Sequence, residues 1–289
     1  MAIKGYRGAV ANDSTGINDV RFWKVGHSAE NLAVADSGTK GAFNELRGIV
    51  DWKGFYGAYG HTPAVMPGDA FTFRGNIDTE VDKGALGTAV VRAVQIFWDW
   101  ARGLPIYHTV AFEGNGALTF GATTSADAGP PDWYMSGDCV WKIAAPAASP
   151  TFLELTKRIR GSLLIWKDLA PYTDSGTANL VSRAGGNLHW AVSVDVHTED
   201  PSAIHSVAST FGVNNVVDLQ LFVDATTYWN PKWTRWKEVG ELEIDIEGEK
   251  LTATRLTGYG ASWYDYDADN IEEGGALTNP AASPVWTSA

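Results

Sequence analysis

The sequence predicts a mainly β chain made of two tandem, similar β-barrel or β-sandwich domains, each with a short flanking α-helix. Three observations carry this reading. Several stretches alternate apolar and polar residues with period two, as a half-buried strand does. Short apolar runs are separated throughout by Gly, Asn, Asp and Pro clusters, with 31 glycines and 12 prolines in 289 residues. Short sequence pieces recur in the same order in both halves, as a duplication leaves them.

The first half reads as strand 70–79, opened by Phe71-Thr72-Phe73, then a glycine-bearing loop 80–89, then strand 90–100. A hairpin follows over 106–121, its two strands turning at Glu113-Gly114-Asn115-Gly116. Thr151-Phe152-Leu153-Glu154 has the pattern of a capping box before Leu155 and Ile159, which predicts a short helix there. In the stretch 188–197, Trp190, Val192, Val194 and Val196 fall on one face. His189, Ser193, Asp195 and His197 fall on the other. Asp200-Pro201 places a cap and a first-turn proline before a second short helix, 201–209. Strand 216–224 and hairpin 239–256 complete the second half. The Gly-, Pro- and Tyr-rich stretches 53–70 and 168–187 read as loops.

The repeat is clearest at Pro146-Ala147-Ala148-Ser149-Pro150, which recurs as Pro280-Ala281-Ala282-Ser283-Pro284. Trp133-Tyr134 and Trp263-Tyr264 lie upstream of the two copies. Val94-Gln95-Ile96-Phe97 matches Leu219-Gln220-Leu221-Phe222, and Ala117-Leu118-Thr119 matches Lys250-Leu251-Thr252. Trp166-Lys167 pairs with either Trp52-Lys53 or Trp23-Lys24. The Ala/Pro-rich stretch 144–150 composes like a linker, so the expected domains are 1–148 and 149–289.

Composition excludes several function classes. With 22 basic and 34 acidic residues the net charge is −12, a poor match for a general nucleic-acid binder. One cysteine, Cys139, cannot build a disulfide framework or a cysteine zinc site. No apolar run is long enough for a membrane helix, and the opening residues lack a secretory pattern. Phosphate-loop, dinucleotide, zinc-protease and nucleophile-elbow motifs are all missing, so no enzyme and no cofactor are expected.

A few residues invite a chemical reading. His189 and His197 are about 26 Å apart on an extended strand, too far to share one ion, so no metal site is expected. Asp265-Tyr266-Asp267-Ala268-Asp269-Asn270 has acidic spacing but lacks the glycine and glutamate of a helix-loop-helix calcium site. Trp229, Trp233 and Trp236 interleave with Lys232, Arg235 and Lys237, which fits a subunit contact in a chain this acidic. Glu241, Glu243, Asp245 and Glu247 line one face of a strand at roughly 7 Å spacing and repel one another. That face is either a solvated exterior or a wall that must not hold a polyanion.

Three runs together resemble bacteriophage tail tube (major tail) proteins. They are Phe71-Thr72-Phe73-Arg74-Gly75-Asn76-Ile77-Asp78, then Val94-Gln95-Ile96-Phe97-Trp98-Asp99, then the run from Leu104 to Leu118. The resemblance covers about half of the chain and lies in pattern rather than in a diagnostic motif. It implies a strand–loop–strand–hairpin domain, rings that stack into a tube, and inner strands lining a channel for DNA. The duplication corresponds to family members with two fused tube domains, in which three chains make a pseudo-six-fold ring.

The expected function is therefore a structural virion protein of the tail, assembled in the host cytoplasm. Its partners would be copies of itself, other tail proteins at the tube ends, and double-stranded DNA passing without specific binding. The acidic strand 241–247 would face the lumen, and the stretches 53–70 and 168–187 would reach the next ring. The first hairpin is far less acidic, with Glu113 as its one matching carboxylate. Alternatives are a capsid decoration or tail-terminator subunit, or a carbohydrate-binding or adhesin module motivated by the Trp and Tyr content.

Overall fold

The computed structural model describes residues 8–34, 44–60, 63–78, 83–122, 134–145, 149–173, 180–197, 216–231, 234–239, 253–260 and 285–288. The chain is mainly β, and its strands join in one large antiparallel sheet system. The first half contains β1 (Ala9–Asn12), β2 (Thr15–Gly16), β3 (Val20–Val34), β4 (Asn44–Tyr59), β5 (Ala70–Asp78), β6 (Lys83–Asp99) and β7 (Tyr107–Ala122). The second contains β8 (Trp141–Ala144), β9 (Leu153–Glu154), β10 (Arg158–Tyr172), β11 (Ser182–His197), β12 (Val216–Phe222), β13 (Thr227–Asn230), β14 (Thr234–Val239), β15 (Ala253–Gly260) and β16 (Val285–Ser288). Among the described residues the helical structure is one 3-10 turn, Ser136–Asp138.

The order of hydrogen-bonded neighbours recurs. In the first half it runs β2-β1-β5-β6-β7-β4-β3. In the second it runs β9-β8-β12-β14-β15-β11-β10. β3 and β4 have 15 and 16 residues, and so do β10 and β11. Aligned on their ends, the two long hairpins set Trp52 and Trp190 at one position, and both are buried. The β6–β7 ladder shifts register between Val91 and Ala93, and the β14–β15 ladder does so between Trp236 and Glu238. β13 and β14 together take the place of the single long β6, interrupted at Pro231, whose ring supplies no ladder donor.

The two halves share one ladder. β10 pairs along the outer part of β6, from Trp166 opposite Ala93 to Arg160 opposite Asp99. β8 lies before residue 148 yet pairs with β12, so the topological boundary falls between β7 and β8. The core is continuous through both halves and is built on aromatics. Phe73 and Phe112 stand 4.8 Å apart by ring centroids, with Trp52 and Phe71 around them. Trp98 meets Trp141 edge-on at 5.1 Å, and its indole N–H donates to the Phe222 carbonyl at 3.1 Å. Burying rings of this size supplies the main stabilisation of a sheet protein.

Several sequence expectations are overturned. Thr151–Glu154 is no helix start: Leu153–Glu154 forms β9 and pairs with Lys142 and Ile143, so a ladder claims the backbone. The stretch 53–59 belongs to β4, and both ends of 168–187 belong to β10 and β11. Val94–Phe97 lies in β6 and Leu219–Phe222 in β12, which hold different places in the recurring order. Trp166-Lys167 takes the place of Ser28-Ala29, so neither Trp23-Lys24 nor Trp52-Lys53 is its counterpart.

The expected hairpin at 113–116 is instead a bulge in one continuous strand, β7. Ala89 faces Gly114 while Gly87 faces Leu118, leaving residues 115–117 extruded. A Cβ at Gly114 would collide with the Trp52 indole. Gly116, at φ +112°, turns its carbonyl to accept the Trp52 indole N–H at 3.0 Å. The Asn-Gly signal thus serves a tryptophan more than sixty positions earlier.

Candidate functional site

The open face of the sheet is the main candidate. A single path of eight strands crosses both halves: β3-β4-β7-β6-β10-β11-β15-β14. Each strand turns alternate residues to the core. On β7 these are His108, Val110 and Phe112; on β10, Gly161, Leu163 and Ile165; on β11, Trp190, Val192, Val194 and Val196. The other face stays partly exposed.

Direct cross-strand partners form rows over this face. One row passes through Phe22, Gly57, Thr109, Gln95, Leu164 and Ala191. Another passes through Tyr59, Tyr107, Phe97, Ser162, Ser193 and Thr257. Phe97 stacks on Tyr107 at 4.5 Å, and Trp166 stacks on His189 at 5.3 Å. A hollow of about 590 Å³ lies between Lys24, Lys53, Phe55, Arg92, Phe97 and Thr109. A second of about 270 Å³ lies between Phe97, Asp99, Arg102, Tyr107, Arg160 and Asp195.

The face carries both charge signs, largely in pairs. Arg92 meets Glu113 at 2.7 Å, Arg102 meets Asp99 at 3.2 Å, and His189 Nε2 lies 2.9 Å from Asp168 Oδ2. Burial raises the pKa of the Tyr107 hydroxyl at the rim of the smaller hollow, with the Asp99 charge acting in the same direction. Among the described residues such a surface offers no continuous basic track for a phosphate backbone.

Where the two halves meet, the tip of the β10–β11 hairpin is clasped to the first half. The Arg183 guanidinium is 4% exposed and reaches Asp51 at 2.6 Å and Glu113 at 2.7 Å. Gly116 donates to the Val181 carbonyl, and the Arg183 amide donates to Asn115 Oδ1. The bulge in β7 is therefore part of this junction. Sequence reading singled out Glu113-Gly114-Asn115-Gly116 here as a turn and missed Arg183 and Asp51, which are 132 positions apart with no local pattern linking them.

Trp229 and Trp236, expected at a subunit contact, are 3% and 1% exposed. Their rings pack into the core of their own chain, which leaves them no area to offer a partner. Trp233, the acidic residues Glu241, Glu243, Asp245 and Glu247, the loop 265–270 and the helix 201–209 lie outside the described residues. Cys139 is buried, and its thiol donates towards the Val223 and Met135 carbonyls. Burial, with Asp138 and Asp224 nearby, pushes this thiol up to about 12, the opposite of a nucleophile.

Among the described residues, no three His, Cys, Asp or Glu side chains cluster as metal ligands. No helix in them is long and apolar enough to cross a membrane. No protein-family model matches the chain, and no curated protein matches it.

Proposed function

We propose that the chain is a structural virion protein: a tail tube subunit with two tandem tube-like β domains, three copies of which close a pseudo-six-fold ring. Rings stack, and the open face lines a channel through which double-stranded DNA passes without specific binding. Other tail proteins cap the ends, and no catalytic step is involved.

One observation carries this reading. The same strand order occurs twice, and the second copy is joined to the first by a ladder, so four strands of each half form one eight-stranded wall. A unit that joins to its own repeat edge to edge is a unit that can be repeated around an axis. Three such walls make a barrel of 24 strands, roughly 37 Å across at about 4.8 Å per strand before tilt widens it. The paired charges and hydroxyl rows of the open face suit a conduit, because a continuous cationic surface would hold the DNA it must release.

Negative-stain electron microscopy over a concentration series tests the reading. Hollow tubes or stacked rings, with three copies per ring, are expected. Single rings that never stack would move the assignment to a tail terminator. Monomers at every concentration would overturn it.

A further inference from the structure

We infer that Asn115 is a deamidation site guarded by the closed junction, and that the isoaspartate formed there when the β10–β11 tip opens keeps the junction from closing again. The inference stands on the geometry of the junction and holds whether or not the chain builds a tube.

The chemistry begins in the sequence. Asn115-Gly116 is the one Asn-Gly pair in the chain. Glycine matters because no side chain shields its amide nitrogen, which can therefore reach the side chain before it. In the reaction the Gly116 N–H gives its proton to a base, and the nitrogen bonds to Asn115 Cγ. The Cγ–Nδ2 bond breaks, and that nitrogen leaves as ammonia. The product is a five-membered cyclic imide, which water opens at either carbonyl. Opening the new Cγ–N bond restores the main chain and leaves aspartate. Opening the original main-chain bond leaves isoaspartate, whose backbone runs through the former side chain and is one methylene longer. Water and a base are the only other reactants.

Both reacting groups are occupied while the junction is closed. The Gly116 N–H donates to the Val181 carbonyl at 3.0 Å, so its proton is kept from bases in solution. Asn115 Oδ1 accepts the Arg183 amide N–H at 3.1 Å, which fixes the side chain. On the other side, the Gly116 carbonyl accepts the Trp52 indole N–H at 3.0 Å. Turning the nitrogen towards Cγ breaks its bond to Val181. Val181 and Arg183 both belong to the hairpin tip, so opening the tip frees the nucleophile and the electrophile together. Gly116 sits at φ +112°, and no described heavy atom lies within 4 Å of where a Cβ would stand. Water can therefore reach the peptide once the bonds part.

The clasp holds the tip shut. Arg183 reaches Asp51 at 2.6 Å and Glu113 at 2.7 Å. Asp51 Oδ1 also accepts the Trp52 amide N–H at 2.8 Å, so the clasp and the indole bond share an anchor. Weakening the clasp raises the open fraction, and the reaction rate rises with it. Isoaspartate makes the opening last. Its extra methylene shifts Gly116 along β7, and the bonds to Val181 and Trp52, set for the shorter backbone, cannot both re-form. It also brings a third carboxylate to a guanidinium that already serves two.

The test uses the full chain in mildly alkaline buffer. The peptide holding Asn115 is resolved by mass spectrometry into amide, aspartate and isoaspartate forms, and hydrogen exchange of the Gly116 amide is followed in parallel. The folded chain should deamidate at least about tenfold more slowly than the chain in urea. Arg183→Met and Asp51→Asn should speed the reaction in step with Gly116 exchange. Asp51→Asn is the milder change and carries the test if Arg183→Met does not fold. Isoaspartyl chains returned to native buffer should stay unprotected at Gly116. Equal rates in folded and unfolded chains would overturn the guard, as would faster Gly116 exchange without faster deamidation. Variants that change neither rate would overturn the role of the clasp. Isoaspartyl chains that regain full protection at Gly116 would overturn the lasting opening.

Discussion

The hairpins β3–β4 and β10–β11 have the same strand lengths and the same place in the strand order, yet they are covered differently. The inner face of β10 is buried at Gly161, Leu163 and Ile165, and that of β3 is open at His27 and only half-covered at Trp23 and Val25. The difference follows the neighbours. β10 lies against β6, and β3 has β4 as its one ladder partner among the described residues. The same hairpin is thus buried where a described strand lies beside it and open where none does.

Truncation on the two hairpins is the strongest way to break this comparison. Leu163→Ala removes a fully buried side chain and should cost about 3 kcal/mol in urea unfolding of the dispersed chain. Val25→Ala, at the matching position but half-buried, should cost about 1 kcal/mol. Equal losses would mean that β3 is already covered as β10 is.

The clasp at the internal junction should come next. Arg183→Met leaves Asp51 and Glu113 without their shared cation, and about 2 kcal/mol of stability should go with it. Glu113 keeps Arg92, which holds the loss below that of a fully orphaned pair. A double-mutant cycle with Asp51→Asn should return a coupling of about 1 kcal/mol or more. Additive losses would show that the hairpin tip is held by its backbone bonds alone.

The smallest effect is a dependence on alkali. The Cys139 thiol sits beside β8 and is raised from 9.0 to about 12 in the folded chain. The unfolded thiol loses its proton first, so stability should be full below pH 9 and fall as pH rises towards 12. At pH 10 the loss from this group should be about 1 kcal/mol. Cys139→Ala should flatten that part of the profile, measured as urea midpoints from pH 8 to 10. An unchanged slope would assign the alkaline loss to other groups, Tyr56 among them, whose hydroxyl is also raised by burial.

The strands with strict alternation were legible from sequence. Trp190, Val192, Val194 and Val196 face the core as their spacing requires. What failed did so where distant residues decide. The Asn115-Gly116 signal became a bulge because Trp52 occupies the space above Gly114, and no local window contains both. The Thr151–Glu154 cap pattern lost to a ladder with β8. Trp229 and Trp236 read as surface because cations sit between them, but alternation on β13 and β14 turns the rings inward. The short sequence matches between the halves do not follow the recurring strand order. Similar short pieces such as Val94–Phe97 and Leu219–Phe222 hold different places, while Trp52 and Trp190 hold the same one. The seam, built from an ion pair and ladders between residues far apart, had no local signature at all.

Under the proposed ring of three chains, the ladder between β6 and β10 also changes the arithmetic of assembly. Two units joined by a peptide chain meet at an effective concentration that no free subunit reaches, so their seam forms without the translational and rotational loss of a bimolecular encounter. In a ring of three such chains, half of the seams are of this kind and are made as the chain folds. Ring closure is then a third-order dependence on chain concentration where single-domain subunits face a sixth-order one. Growth should begin at lower protein levels and with a shorter lag.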